Sequence, residues 1–218
     1  MRLNCTINGS QYSLVVNSDK PLNHILKEHI ITFSENSQCL GASCGNCIVL
    51  INGNAALSCL IPAFKLNGAS ILTFEGFQKT RFCHDIERAY ADIGNQPCPQ
   101  CYAAKTIIIE SILNKIDKES QNRLGRFRLG TSGTSGLGTS GQSGWGSQGD
   151  FGGQASSGSS SSANQQAARI RSGEGTISPE IISHEIAMSS CHCIELSDLE
   201  KIINAAYKYR SKRRARRS

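Results

Sequence analysis

Apolar positions divide the 218-residue chain into stretches with different periods. Two short apolar-rich runs, Leu3 to Ile7 and Ser13 to Val16, flank an Asn8-Gly9 pair, a signal for a tight hairpin turn. Leu22, Ile25, Leu26 and Ile30 then recur at helical spacing, with Pro21 near the helix start. Cys47 to Ile51 is a short apolar strand. Asn52-Gly53 turns the chain back toward Ala55 to Leu60, and a last strand, Ser70 to Phe74, ends at Glu75-Gly76. Strands wrapped around one helix in this order predict a β-grasp domain over residues 1–77.

From residue 78 the period becomes helical. Ile109, Ile112, Leu113 and Ile116 share one helix face, within a helical segment over residues 78–125. The pattern then stops. Between Gly130 and Ser162, 22 of 33 residues are Gly or Ser, and Asp150 is the only charge. Such a composition cannot bury enough apolar surface to offset its ordering entropy, so residues 126–175 read as a flexible linker. The reach of its Gly130–Ser162 stretch is roughly 30 Å. Helical signals resume with Ser178 as an N-cap and Pro179 at the first helical position, running to about Met188. Ser197 to Glu200 has the form of a capping box, and Leu199, Ile202, Ile203 and Ala206 supply an apolar stripe. The second half thus predicts a four-helix bundle, built from 78–125 and 176–210 and interrupted by the disordered Gly/Ser-rich linker. The fold class is α+β, and residues 211–218 form a basic tail.

The formal charge of +6 would by itself suggest nucleic acid, but its distribution argues otherwise. Seven Lys and Arg fall between Lys208 and Arg217. Removing them from the total of 23 leaves 16 against 17 acidic residues. The positive balance belongs to the tail, read as a solvated or frayed helix end, and a nucleic-acid partner has little support. No signal-peptide core follows Met1, and no apolar run approaches a membrane span. A soluble, cytoplasmic protein is expected. Ten cysteines in a reducing compartment point to metal ligands before disulfides.

Eight of those cysteines fall into two quartets. Cys39, Cys44, Cys47 and Cys59 form C-x4-C-x2-C-x11-C, whose first three members have the plant-type [2Fe–2S] ferredoxin spacing. Gly41, Ala42, Ser43 and Gly45 keep the loop small, so backbone amides can approach cluster sulfur and tune its potential. Cys98, Cys101, Cys191 and Cys193 pair a C-x2-C with a distant C-x-C. On spacing alone this set suits zinc as well as iron–sulfur. Both pairs lead into predicted helices, whose N-terminal amides favour an anionic cluster. Cys5 and Cys83 are left over and read as small buried hydrophobes.

The two quartets in this order, a β-grasp half followed by a helical half, resemble the small subunit of the molybdenum hydroxylases. These comprise the xanthine dehydrogenase, aldehyde oxidoreductase and carbon monoxide dehydrogenase family. Other segments agree: Pro21-Leu22 through Leu26-Lys27-Glu28, Ser58-Cys59-Leu60, Thr73-Phe74-Glu75-Gly76-Phe77, and His84 followed by Ala89-Tyr90. The resemblance covers nearly all of the chain except the linker and the tail. It implies that Cys39, Cys44, Cys47 and Cys59 hold a [2Fe–2S] cluster nearer the flavin. Cys98, Cys101, Cys191 and Cys193 would hold a second, nearer the molybdenum. It also implies two partners: a molybdopterin-binding large subunit, plus an FAD-binding medium subunit. This chain would pass electrons between them without contacting the substrate. The sequence departs from the family at Pro97, Pro99-Gln100, Tyr102-Ala103-Ala104 and His192, while all four thiols of the second quartet are kept.

The other candidates carry less. His192, between two cysteines, takes the place of a family arginine, since a Rieske-type site needs two histidines on one iron. His24, His29, His84 and His184 read as helix-surface residues, and no catalytic residue set or nucleotide-binding glycine loop is visible. The competing expectation is a stand-alone ferredoxin-like carrier with one [2Fe–2S] cluster and a structural zinc site on the second quartet.

Overall fold

The computed structural model describes residues 1–30, 44–129, 182–183, 186–189 and 191–216, with side chains in 122–129 excluded. Cys39, His184, most of the expected linker and most of the expected 178–188 helix lie outside the described residues. Strands β1 (Arg2–Ile7) and β2 (Ser10–Val15) pair antiparallel, and β3 (Ile48–Ile51) and β4 (Asn54–Leu57) do the same. Both hairpins turn on Asn-Gly. Asn8 and Asn52 have φ of 52°, and Gly9 and Gly53 have 86° and 82°. Two consecutive positive-φ residues match the twist of the flanking strands, which is why Asn-Gly is favoured there. Strand β5 (Ser70–Leu72) lies between the hairpins, parallel to β1 and antiparallel to β3. The mixed sheet has the order β2-β1-β5-β3-β4.

The sheet is covered on both faces, and β3 shows why its sequence is apolar throughout. Side chains alternate across a strand. Val49 joins Leu3, Ile7 and Ile71 and the inner residues Leu22, Ile25 and Leu26 of helix α1 (Leu22–His29). Ile48 and Leu50 point the other way, into a second core built by α3 (Arg81–Ile93), α4 (Tyr102–Leu129) and α5 (Leu196–Ala215). Each fully buried Leu or Ile contributes roughly 1.5–3 kcal/mol. Polar stitches fix α4 on the hairpin. Ser111 Oγ accepts from the Ala55 N–H at 2.9 Å, and Asn114 Nδ2 donates to the Gly53 carbonyl at 3.2 Å.

Two local expectations are corrected. The strand from Ser70 stops at Leu72, and Phe74 opens a short helix, α2 (Phe74–Phe77). Asn8 ends the strand there: its side chain accepts from the Thr73 N–H at 2.9 Å and donates to Thr73 Oγ1 at 3.1 Å. The capping box at Ser197 does not form. Helix α5 starts two residues earlier, at Leu196 behind Glu195, so Ser197 is already helical. Asp198 has another partner, accepting from Asn95 Nδ2 at 3.0 Å.

The basic tail is not a frayed end. Helix α5 continues through it to Ala215. Arg210 is fully buried and pairs with Glu110 and with Asp117 (3.3 Å) of α4, under the ring of Phe82 at 4.5 Å. Arg213 pairs with Asp85 of α3, and Arg214 donates to Asp117 at 2.8 Å. Helices α3 and α4 carry acidic groups on the faces that meet α5. Charge counting along the chain cannot reveal that complementarity. Among the described residues, no helix is long and apolar enough to cross a membrane.

Candidate metal centre

The second quartet is assembled by the ends of three helices. Gly94, with φ of 72°, ends α3 in the left-handed conformation that commonly terminates a helix. The chain then runs through buried Pro97 to a tight turn. In that turn the N–H groups of Cys101 and Tyr102 both donate to the Cys98 carbonyl at 2.9 Å, and α4 begins at Tyr102. The Cys191–Cys193 segment arrives from the other side and leads into α5. Packing of α5 along α3, and the Asn95–Asp198 hydrogen bond, hold the two segments together. The result is that the sulfurs of Cys98, Cys101, Cys191 and Cys193 all lie within 4.8 Å of one another.

The four thiols differ. Cys98 is pushed down to about 7 by hydrogen bonds from the Cys101 thiol and backbone N–H. Cys101, only 4% exposed, is raised by burial, as is Cys193. The group least costly to ionise is therefore at the surface end. His192 is exposed and is not among the converging ligand atoms, as its reading as a non-ligand requires.

Of the first quartet, Cys39 lies outside the described residues. Cys47 is buried immediately before β3, and Cys59 sits in a short 3-10 turn, Ser58–Leu60, immediately after β4. The Ser58 N–H donates to the Cys47 carbonyl at 3.0 Å, so the β3–β4 register places the third and fourth cysteines at the same end of the hairpin. Gly45, next to Cys44, packs on the backbone of Met188 and Ser189, just ahead of Cys191.

The surroundings suit a group that accepts hydrogen bonds. Ser58 Oγ beside Cys59 and Ser189 Oγ near Cys191 are buried with no hydrogen-bond partner among the described residues. A hydroxyl left so costs about 1–3 kcal/mol, and cluster or thiolate sulfur would satisfy it. Four converging thiols are the donor set of soft metals and iron–sulfur clusters. The leftover cysteines behave as expected. Cys5 faces the core of the sheet with Leu3 and Ile7. Cys83 is fully buried, its thiol pushed up to about 12 by burial and by the neighbouring Glu87 carboxylate.

No family model matches the chain. It is 31% identical over 131 residues, 60% of its length, to the xanthine dehydrogenase iron–sulfur-binding subunit of Escherichia coli O157:H7, of which it covers 81%. The chain belongs to the iron–sulfur subunits of the molybdenum hydroxylases. The nicotinate dehydrogenase small FeS subunit of Eubacterium barkeri is 25% identical over 113 residues, 52% of this chain and 72% of that protein. Among solved structures, quinoline 2-oxidoreductase from Pseudomonas putida 86 aligns at a TM-score of 0.56 and 18% identity, over 97% of this chain and 96% of the matched one. Aldehyde oxidoreductase from Desulfovibrio gigas aligns at 0.57 and 16% identity, over 97% of this chain and 17% of that one. At such identities the structural matches speak for the fold, and they agree with the family assignment. Family membership favours iron–sulfur over zinc for a four-cysteine set that spacing alone leaves open.

Proposed function

We propose that this chain is the electron-transfer subunit of a molybdopterin-dependent hydroxylase of the xanthine dehydrogenase type, carrying electrons from the molybdenum site toward a flavin or other acceptor. Two [2Fe–2S] clusters would supply one-electron storage at two points in the chain. Cys98, Cys101, Cys191 and Cys193 would hold the one nearer molybdenum. Cys39, Cys44, Cys47 and Cys59 would hold the one nearer flavin. The partners would be a molybdopterin-binding large subunit, plus an FAD-binding medium subunit, with assembly in the cytoplasm. In this reading residues 1–77 are the β-grasp, ferredoxin-like part. Residues 78–125 and 176–210 form one four-helix unit, and 126–175 are a linker that leaves both cysteine quartets intact.

The convergence of four thiol sulfurs within 4.8 Å carries the reading, because residues 98 and 193 are brought together only by the fold. The thiolates would fix the inner site at the head of α4, where backbone N–H groups favour negative charge. Burial of Cys101 would keep water from that side of the site. Anaerobic purification with its partners, followed by metal analysis and electron paramagnetic resonance, tests the proposal. Four irons per chain and two distinct [2Fe–2S] signals are expected. One signal with a stoichiometric zinc would instead identify a single-cluster carrier, and an iron-free folded chain would remove both readings.

A further inference from the structure

Ser58 stands between two cysteines of the first quartet. It precedes Cys59 in the short 3-10 turn, and its N–H donates to the Cys47 carbonyl at 3.0 Å. That bond continues the β3–β4 register, in which Ile48 faces Leu57, by one position, so Ser58 lies opposite Cys47. Directly opposed residues of an antiparallel pair put their side chains on the same face, with Cβ atoms about 4.5–5.5 Å apart. Ser58 is therefore the cross-strand neighbour of one quartet side chain and the chain neighbour of another.

Its hydroxyl stands out among the buried ones. Thr73 Oγ1 accepts from Asn8 Nδ2, Thr106 Oγ1 donates to the Tyr102 carbonyl, and Ser111 Oγ accepts from the Ala55 N–H. Ser58, with 0% of its surface exposed, has a buried Oγ with no partner among the described residues. Ser189, two residues before Cys191, is the other buried hydroxyl in that condition. Both orphans thus sit beside quartet cysteines, and the partnered hydroxyls sit elsewhere. Asn46 Oδ1, next to Cys47, is itself buried and unpartnered, so it does not take the Ser58 proton. Buried hydroxyls are rarely left unsatisfied without a reason in the site. Cluster and thiolate sulfur accept hydrogen bonds, and such bonds help set a cluster's potential.

We infer that the Ser58 hydroxyl donates a hydrogen bond to sulfur of the cluster held by the first quartet, favouring its reduced state and raising its midpoint potential. The inference rests on the proposed function. Reduction adds one electron, and the proton stays on Ser58 Oγ throughout. The added negative charge makes sulfur a better acceptor, so the hydroxyl stabilises the reduced state more than the oxidised one. Removing the hydroxyl takes away that difference, and the midpoint falls.

The test is a reductive titration of the purified complex, following each paramagnetic signal separately. The first cluster's signal is the one that survives Cys98→Ser. In Ser58→Ala its reduced-to-oxidised ratio at fixed potential should fall about tenfold, which is about 59 mV for one electron. The second cluster should not move. Ser58→Thr keeps a hydroxyl and should hold the first midpoint. If Ser58→Ala loses the first cluster while Ser58→Thr keeps it, the hydroxyl is still what the site requires. Loss in both overturns the inference, since shape and not a hydrogen bond would then be decisive. A first midpoint unchanged in Ser58→Ala, or shifted equally in Ser58→Thr, also overturns it and leaves the functional reading standing. A first signal missing from the unsubstituted complex removes the functional reading, and this inference with it.

Discussion

Gly45 sits against the Met188 carbonyl so closely that a Cβ at position 45 would lie 2.3 Å from that oxygen and 2.7 Å from the Ser189 Cα. The loop of the first cysteine motif therefore touches, backbone to backbone, the segment that delivers the C-x-C of the second. Gly45 also has φ of 70°, where a side chain costs about 1–2 kcal/mol by itself. One glycine meets two demands, and both serve to bring the two cysteine motifs together.

Gly45→Ala should destabilise the chain by more than the backbone strain alone, roughly 3 kcal/mol or above. Gly68 is the control: its φ is 73°, and a Cβ there would meet nothing within 4 Å, so Gly68→Ala should cost only about 1–2 kcal/mol. Equal losses in urea unfolding of the two variants would show that the Gly45 contact is slack.

Arg210→Met should be severely destabilising, by about 3–5 kcal/mol, because it leaves Glu110 buried without its cation, while Asp117 keeps only Arg214. Replacing the buried pair together, with Glu110→Gln, should recover most of that loss. Denaturant unfolding of the single and double variants measures both. A harmless single substitution would mean that the tail is solvated after all.

Glu110 makes stability depend on pH. Burial raises its carboxyl to about 7, against partial opposition from Arg210. The folded chain therefore holds this proton more tightly than the unfolded chain, where the ordinary value is 4.5. Stability from this group is fully present below about 4.5 and is lost as pH rises toward 7, on the order of 3 kcal/mol in all. Glu110→Gln should flatten thermal stability across that window, and an unaltered slope would assign the titration elsewhere.

Cysteine substitutions should separate ligands from fillers. Cys98→Ser should abolish one paramagnetic signal and about half of the bound iron while leaving the other signal in place. Cys83→Ser should keep all the iron, since its thiol is sealed in the core, and should lower stability by about 1–2 kcal/mol through an added buried hydroxyl. Iron lost from Cys83→Ser with the fold intact would make Cys83 a ligand.

Much of the architecture was legible because it is local. Asn8-Gly9 and Asn52-Gly53 announce hairpins through a positive-φ requirement that few residues meet. Leu199, Ile202, Ile203 and Ala206 announce the buried face of α5 through period alone, and all four are buried. The end of the strand at Leu72 was not legible, because it depends on Asn8, more than sixty residues away in sequence. Nor was the start of α5, where Ser197 offered a plausible cap that the helix passes by.

Residue order by itself determined the two cysteine motifs, the turns and the apolar stripes, since each rests on neighbours within a few positions. The tertiary structure alone decided that Cys98 and Cys193 meet, that Gly45 must be bare, and that seven clustered cations include three pinned to acids of other helices. Those outcomes depend on through-space distance and desolvation, and neither quantity is written in the separation of residues along a chain.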